Sequence, residues 1–402
     1  MALLLLNRRS ILPDLPDWLP GESLVLVTAR SALAEPIPDR LARRFHRIEV
    51  VDDLVYESGE VDRLIDALCA RHDVERLLST AEFDVVRAAR ARARHGLPGQ
   101  SVASAVAYRD KHVMKRLAAG HGVAVPPMAP VRDTADVLSF MDTHGLPVVV
   151  KPHDGVASVG VRLLRDRREA ERLELGGAGG LLAERFVDGT VCHVDGLMAG
   201  GRVLFGAASR YLYGNLDTAT HGAPNISAML ADDDPLAVRL LDATAAVVAA
   251  LPAVEEVTAL HAEFFHTPDD DVVLCEIACR PGGCGIVEAF ELSTGINLYA
   301  AHLRGQAGLP TPAAVEGERP RHGWGWFPPR RGTLVRLPSS CPLSGTVRFT
   351  AHGAVGSYSE GPTSSSDRVA ELVYRLPDAG DVEDTLRAVD NWWASGARWD
   401  DG

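Results

Sequence analysis

Residues 261–283 read HAEFFHTPDDDVVLCEIACRPGG, two apolar runs parted by Pro268 and the three aspartates Asp269 to Asp271. The pattern predicts a β-hairpin with strands over His261–His266 and Val272–Ile277. Side chains alternate across a strand. Ala262 and Phe264 therefore share one face, and His261, Glu263 and Phe265 the other; on the second strand Leu274, Glu276 and Ala278 share a face. Two carboxylates on one face of an antiparallel pair repel unless a cation lies between them, and a hard divalent ion with oxygen ligands is the natural cation. Two solvated carboxylates are the plainer reading. Arg280 and the pair Gly282–Gly283 follow at once. A guanidinium fork matches a carboxylate or phosphate in two bonds, and glycines let backbone N–H groups approach an anion. The turn thus marks a place for an anion beside the metal.

Upstream, an apolar strand ends in Val148-Val149-Val150-Lys151, followed by Pro152 and a loop from His153 to Gly160 that contains Gly155 and Ser158. Such a loop is either an ordinary turn or a phosphate cradle with a lysine at its edge. Leu181 to Gly189 then lead Glu184 along a strand into a turn. Glu184 is either an edge charge or an acceptor for the amine of an adenine ring. Thr190–Ala199 and Arg202–Ala208, joined at Gly200-Gly201, predict a second hairpin. Ser209 to Pro224, with Arg210, Tyr211, Tyr213 and His221, reads as a lid or a surface loop.

The remaining sequence sets the frame. The chain has 402 residues, 46% hydrophobic and 24% charged, the proportions of a globular protein of two or three units. Its 41 basic and 54 acidic residues give a net charge of -13, which argues against a broad nucleic-acid footprint. Leu3–Leu6 is too short to span a membrane and has neither the charged flank nor the cleavage site of a signal peptide, so a cytoplasmic location is expected. Cys275, Cys279 and Cys284 have no fourth partner at zinc spacing and read as small buried thiols.

Before residue 100, strands over Ala2–Leu6, Leu24–Thr28, Ile48–Val51 and Leu77–Thr80 alternate with helices such as Val61–Arg71. That alternation predicts a doubly wound parallel sheet, whose ligand edge would carry Ser79, Thr80 and Glu82. One helical stretch is expected over 104–120 and another run over Gly285–Arg304. A Gly- and Pro-rich linker around 305–321 precedes strands over Thr333–Leu337, Gly345–Ala351 and Val369–Leu376 and a final helix over Val382–Trp393. Trp324, Trp326, Trp392 and Trp393 read as core anchors.

In this order, the residues resemble the ATP-grasp superfamily, through its motifs over roughly residues 100 to 300. Asp110-Lys111 opening a helix is similar to the family's first nucleotide lysine, Lys151 to its second, and His153–Gly160 to its mobile phosphate loop. Glu184, Phe186 and Val187 resemble the adenine hinge, and His193-Val194-Asp195-Gly196 the strand after it. Glu263 and Glu276 match the metal carboxylates, and Arg280 the substrate arginine. Two positions depart: Ala278 stands where an Asn usually completes the metal shell, and Thr190 where many members carry a carboxylate for the ribose.

The resemblance implies an α/β and α+β architecture. An N-terminal doubly wound domain over 1–100 precedes an ATP-grasp domain over 101–305, with a small lid subdomain at about 125–190, and a C-terminal lobe over 306–402. It implies an ADP-forming ligase that makes an acyl phosphate from a small acid, such as an amino acid, and passes it to an amine. Arg280, Lys151 and Gly283 would be catalytic. Lys111, Lys151, Ser158, Glu184, Phe186, Val187, Thr190, His193 and Leu274 would hold ATP, and Glu263 and Glu276 would hold Mg²⁺ or Mn²⁺. The expected partners are two small substrates and a second copy in a homodimer, with neither nucleic acid nor membrane. Loading of a carrier protein, carboxylation chemistry and a non-catalytic nucleotide-binding protein are the alternatives.

Overall fold

The computed structural model describes residues 2–33, 36–173, 180–312, 319–378 and 380–400. β1 (Ala2–Asn7), β2 (Leu24–Ala29), β3 (Arg47–Val51) and β4 (Val74–Ser79) form a parallel sheet in the order β3-β2-β1-β4. Every residue of β1 and β2 is buried, which is why their apolar runs do not alternate. The polar residues Asn7, Thr28, Ser79 and Thr80 cluster at the carboxyl edge, where Asn7 Nδ2 donates to Thr28 Oγ1 and Thr80 Oγ1 bonds Leu6 O.

The helical stretch expected over 104–120 is two helices, Val102–Ala107 and Lys111–Gly120. Asp110 accounts for the break: its carboxylate accepts the N–H groups of His112 and Val113, so the second helix starts there with its own cap. Likewise the run over Gly285–Arg304 divides into Ile286–Thr294 and Leu298–Gln306. Gly295 ends the first in a left-handed conformation (φ 79°), and Asn297 caps the second.

β5 (Met128–Val131), β6 (Val148–Pro152), β7 (Arg162–Leu164) and β8 (Leu181–Arg185) form a small antiparallel sheet ordered β5-β8-β6-β7, with the helix Thr134–His144 packed on it. The segment about 125–190, read as a lid subdomain, includes residues 174–179, which lie outside the described residues. The main sheet then assembles from β9 (Thr190–Ala199), β10 (Arg202–Tyr211), β11 (Asn225–Met229), β12 (Thr258–His266) and β13 (Val272–Ala278). β14 (His322–Phe327), β15 (Gly332–Arg336), β16 (Thr346–Ala351), β17 (Tyr358–Ser359), β18 (Ala370–Arg375) and β19 (Arg398–Asp400) follow. Eight strands run β13-β12-β9-β10-β11-β14-β18-β16, and β15 pairs with β17 and β19 at the side. The linker expected around 305–321 lies partly outside the described residues, at 313–318.

Gly200 and Gly201 join β9 to β10 with φ of 56° and 70°, the left-handed pair that a two-residue hairpin turn requires. One face of β9, β12 and β13 buries Cys192, Val194, Ala262, Phe264, Leu274 and Ile277 against the helix Pro235–Ala250. The opposite face is left for polar side chains, and the site is built there. Trp324 and Trp393 are almost fully buried; Trp393 stacks on Phe327 at 4.2 Å between ring centroids. No helix among the described residues is long and apolar enough to cross a membrane.

Candidate functional site

A cavity of about 540 Å³ opens between the small sheet and the polar face of the main sheet. That is room for a nucleotide-sized ligand. Lys111, Lys151, Ser158, Glu184, Phe186, Val187, Glu263 and Glu276, spread over more than 160 positions of the chain, all line it.

On the main sheet Glu263 and Glu276 are direct partners across β12 and β13. The register slips between Glu263 and Phe264, so that Phe264 faces Leu274 and Cys275 is the extra residue of a bulge. This corrects the shared face expected for Leu274, Glu276 and Ala278. Leu274 turns into the core, its N–H donating to Ala124 O at 2.9 Å, while Cys275 and Glu276 both reach the cavity. Lys111 Nζ lies 2.8 Å from Glu276 Oε2 and 2.7 Å from Gly155 O, tying the carboxylate to the glycine loop. Burial pushes the Glu276 carboxyl up, but Lys111, Lys151 and Arg280 outweigh it and hold it down to about 2.

On the small sheet, Glu184 sits between two ammonium groups, Lys115 Nζ on one oxygen at 2.7 Å and Lys151 Nζ on the other at 2.8 Å. Burial alone would favour the neutral acid; the two lysines bring Glu184 down to about 2 instead. Desolvation lowers Lys115, whereas in Lys151 the opposing desolvation is overcome by Glu184 and the group is raised. The carboxylate read from sequence as an adenine acceptor therefore holds lysines. Lys115 was absent from the expected set, although it lies one helical turn beyond Lys111 on the same face.

The loop after Lys151 carries Ala157 at φ 50° and Ser158 at φ 60°, two consecutive left-handed residues that are not glycine. Such strain costs on the order of 1–3 kcal/mol per residue and persists where the surroundings dictate it. Here Ser365 N–H, from beyond β17, donates to Ala157 O at 3.1 Å. The segment left open as a lid or a loop forms the helix Asn215–His221, one wall of the cavity. From it Asn215 Nδ2 donates to Glu263 Oε1 at 2.9 Å, and Tyr211 Oη reaches the same oxygen at 3.5 Å. Arg210 points elsewhere, to Glu383 at 2.9 Å.

Five expected residues do not line the cavity. Thr190 is paired with His266 at the start of β9. Leu274 is in the core. His193 is buried in a strip behind Glu263, with Nδ1 2.6 Å from Asp195 and Nε2 2.7 Å from Ser227 Oγ. His261 continues the strip, bonding Asp195 at 2.9 Å and lying 3.4 Å from Glu263; burial would lower it, but Asp195 raises it to about 10. These ring nitrogens and Asp195 oxygens lie within 4.8 Å of one another, but they are committed to one another by hydrogen bonds. Arg280 and Gly283 lie beyond the carboxylates, against the carboxyl edge of the first sheet, where Arg280 Nε donates to Glu82 Oε2 at 2.6 Å. Within the turn Gly282 is the constrained glycine, since a Cβ would stand 2.6 Å from Asp195 Oδ1; at Gly283 it would meet open space.

The sequence is 24% identical over 329 residues to an L-arginine-specific L-amino acid ligase from Bacillus subtilis, covering 78% of each chain. Over 114 residues it is 35% identical to a D-alanine–D-alanine ligase from Gloeobacter violaceus, 26% of this chain and 38% of that one. No protein-family model matches. The fold superposes on the crystal structure of an L-amino acid ligase from Bacillus licheniformis with a TM-score of 0.73 at 19% identity, over 99% of this chain and 98% of the other.

Proposed function

We propose that this chain is an ATP-grasp enzyme and, within that superfamily, an ADP-forming carboxylate–amine ligase acting on an amino acid or similar small acid. The observation that carries the reading is the meeting, in one cavity, of Lys111, Lys151, the Ser158 loop and the opposed pair Glu263 and Glu276.

The donor set suits magnesium: two carboxylates side by side on one sheet face, open to a polar cavity, are hard oxygen ligands for an ion that keeps waters and phosphate oxygens in its shell. Bound by Glu263 and Glu276, it would neutralise charge on the phosphoryl group in transfer. Asn215, bonded to Glu263, orients one ligand, and Lys111 does the same for Glu276. Glu184 holds Lys151 charged and aimed into the cavity, so its ammonium meets phosphate oxygens without first being ordered. The strained loop lines the cavity through Gly155 to Ser158, where its backbone N–H groups would meet the phosphates.

A carboxylate oxygen of the acid attacks the γ-phosphorus, the bond to the β-phosphate oxygen breaks, and ADP leaves. The amine nitrogen then adds to the acyl carbon, phosphate departs with the C–O electrons, and the amine proton passes to phosphate or water. Arg280 and the Gly282–Gly283 backbone hold the acid's oxygens, and the helix wall Asn215–His221 keeps water from the acyl phosphate. The test is release of ADP from ATP and Mg²⁺ across a panel of amino acids, with hydroxylamine trapping the acyl phosphate as a hydroxamate. Hydroxamate formation with at least one acid is expected. Its absence with every acid would falsify the ligase reading.

A further inference from the structure

Behind the catalytic carboxylates, at the carboxyl edge of the first sheet, donors outnumber acceptors. Glu82, just past β4, takes Arg280 Nε at 2.6 Å and lies 3.9 Å from Arg109 Nη1. β1 and β4 are neighbours in that sheet, so Arg9, just past β1, leaves the same edge. Burial raises the Cys284 thiol in the turn after β13, and the charges of Arg9, Arg368 and Arg280 act against it. Arg368 has its own partner, Glu371, at 2.9 Å. Arg109 and Arg280 thus share Glu82, and Arg9 leaves the same sheet edge beside them.

Two of the three have buried nitrogens with unmet hydrogen-bonding capacity. Arg109 Nη1 has no hydrogen-bond partner, on a side chain only 9% exposed, and Arg9 Nε has none either. A buried N–H without an acceptor costs on the order of 1–3 kcal/mol, and more on a charged group. There is also room for an anion beside the Arg109 side chain. Arg109 lines a second cleft, of about 470 Å³, together with Phe83, Arg87 and Arg90. Of the acids along it, Asp110 caps its helix, Asp62 lies 3.5 Å from Arg87, and Asp154 is exposed.

We propose that the acid activated by this chain carries a second anionic group, which Arg9 and Arg109 bind while Arg280 and the Gly282–Gly283 turn hold the reacting carboxylate. The proposal rests on the ligase reading and narrows its substrate class. An acid with a neutral side chain leaves the two guanidiniums unmet, and a basic side chain meets like charge. The relative from Bacillus subtilis is described as L-arginine-specific; the cluster here suits the opposite charge.

The whole chain is assayed with ATP, Mg²⁺ and hydroxylamine, so that no particular amine is needed, on L-glutamate, L-aspartate, O-phospho-L-serine, L-glutamine, L-alanine and L-arginine. A kcat/KM for L-glutamate or L-aspartate about tenfold or more above that for L-glutamine is expected, in line with a charge-assisted bond gained. A preference for O-phospho-L-serine over both would identify the second anion as a phosphate rather than a carboxylate. Equal or better hydroxamate formation with L-glutamine or L-arginine overturns the proposal and leaves the ligase reading standing; no hydroxamate from any acid removes both. Selectivity that appears only among amines, when these replace hydroxylamine, also overturns it, because the anion then belongs to the nucleophile. Arg9→Gln and Arg109→Gln should each cut the ratio of glutamate to glutamine kcat/KM by about tenfold, and an unchanged ratio in both counts against the idea. Should Arg109→Gln fail to fold, Arg9→Gln and the unaltered chain decide it.

Discussion

Lys115, Glu184 and Lys151 form one charged cluster, and Arg109 and Arg280 on Glu82, with Arg9 leaving the same sheet edge, form another. In the first, each oxygen of one carboxylate meets one ammonium, at 2.7 and 2.8 Å. In the second, two guanidiniums share one carboxylate, and Arg109 and the neighbouring Arg9 each keep a buried nitrogen without a hydrogen bond. The first cluster is complete without a ligand, so it can hold Lys151 in place before ATP arrives. The second is complete only with an anion, so it should give affinity and selectivity and little stability.

The largest effect that would break this comparison is on folding. Lys115→Met leaves Glu184 with one partner in a fully buried place, and breaking a buried pair costs about 3–5 kcal/mol. Arg9→Gln should cost less than about 1 kcal/mol, because it removes an unmet donor rather than a satisfied one. Denaturant midpoints of the two variants check this; similar losses would mean that the clusters do not differ in kind.

Next in size is turnover. Glu276→Gln keeps the shape, but takes a charge from the proposed metal and from Lys111, and should lower hydroxamate formation by about 10²–10³-fold, the usual cost of removing one electrostatic stabiliser. Mn²⁺ binding measured by electron paramagnetic resonance should weaken in parallel. A variant that turns over normally would detach the two carboxylates from the chemistry.

What could be read from the sequence differs between these clusters for a physical reason. Lys151, Glu263 and Glu276 are legible because each ends or alternates along an apolar strand, where local periodicity fixes the face. Leu274 is misread because the bulge at Cys275 adds one residue that period-two counting cannot register. Asp110 and Gly295 break helices that hydrophobic spacing alone joins, although both carry capping signals. Arg109, Glu82 and Arg280 become neighbours only through the docking of the first sheet on the turn after β13, and Arg9 comes to the same edge only through the pairing of β1 with β4. The same holds for β14, β18 and β16, which the pairing of β11 with β14 brings onto the main sheet. No local pattern carries such nonlocal contacts.

The smallest expected effect concerns pH, and it separates the complete cluster from the seam between the sheets. His302 joins them: its Nδ1 accepts Ala259 N–H at 3.2 Å and lies 2.7 Å from Thr258 Oγ1, while its Nε2–H donates to Ser79 O at 3.0 Å. A ring that accepts at Nδ1 must be neutral, and burial, helped by Arg92 and Arg280 against the bond to Ser79, lowers it from 6.5 to about 4. A lowered group stabilises fully above its unfolded value, so the His302 contribution is complete above pH 6.5 and lost as pH falls through about 4. Glu184 is also lowered, from 4.5 to about 2, so its contribution holds down to pH 4.5 and fails only as pH falls towards 2. Stability measured by urea midpoint should therefore fall in two steps on acidification, the seam first and the cluster second. His302→Gln should flatten the first step and leave the second. If the first step survives the substitution, some other group holds the first sheet against the main one. If the second begins above pH 4.5, the two lysines do not hold the Glu184 charge as the geometry requires.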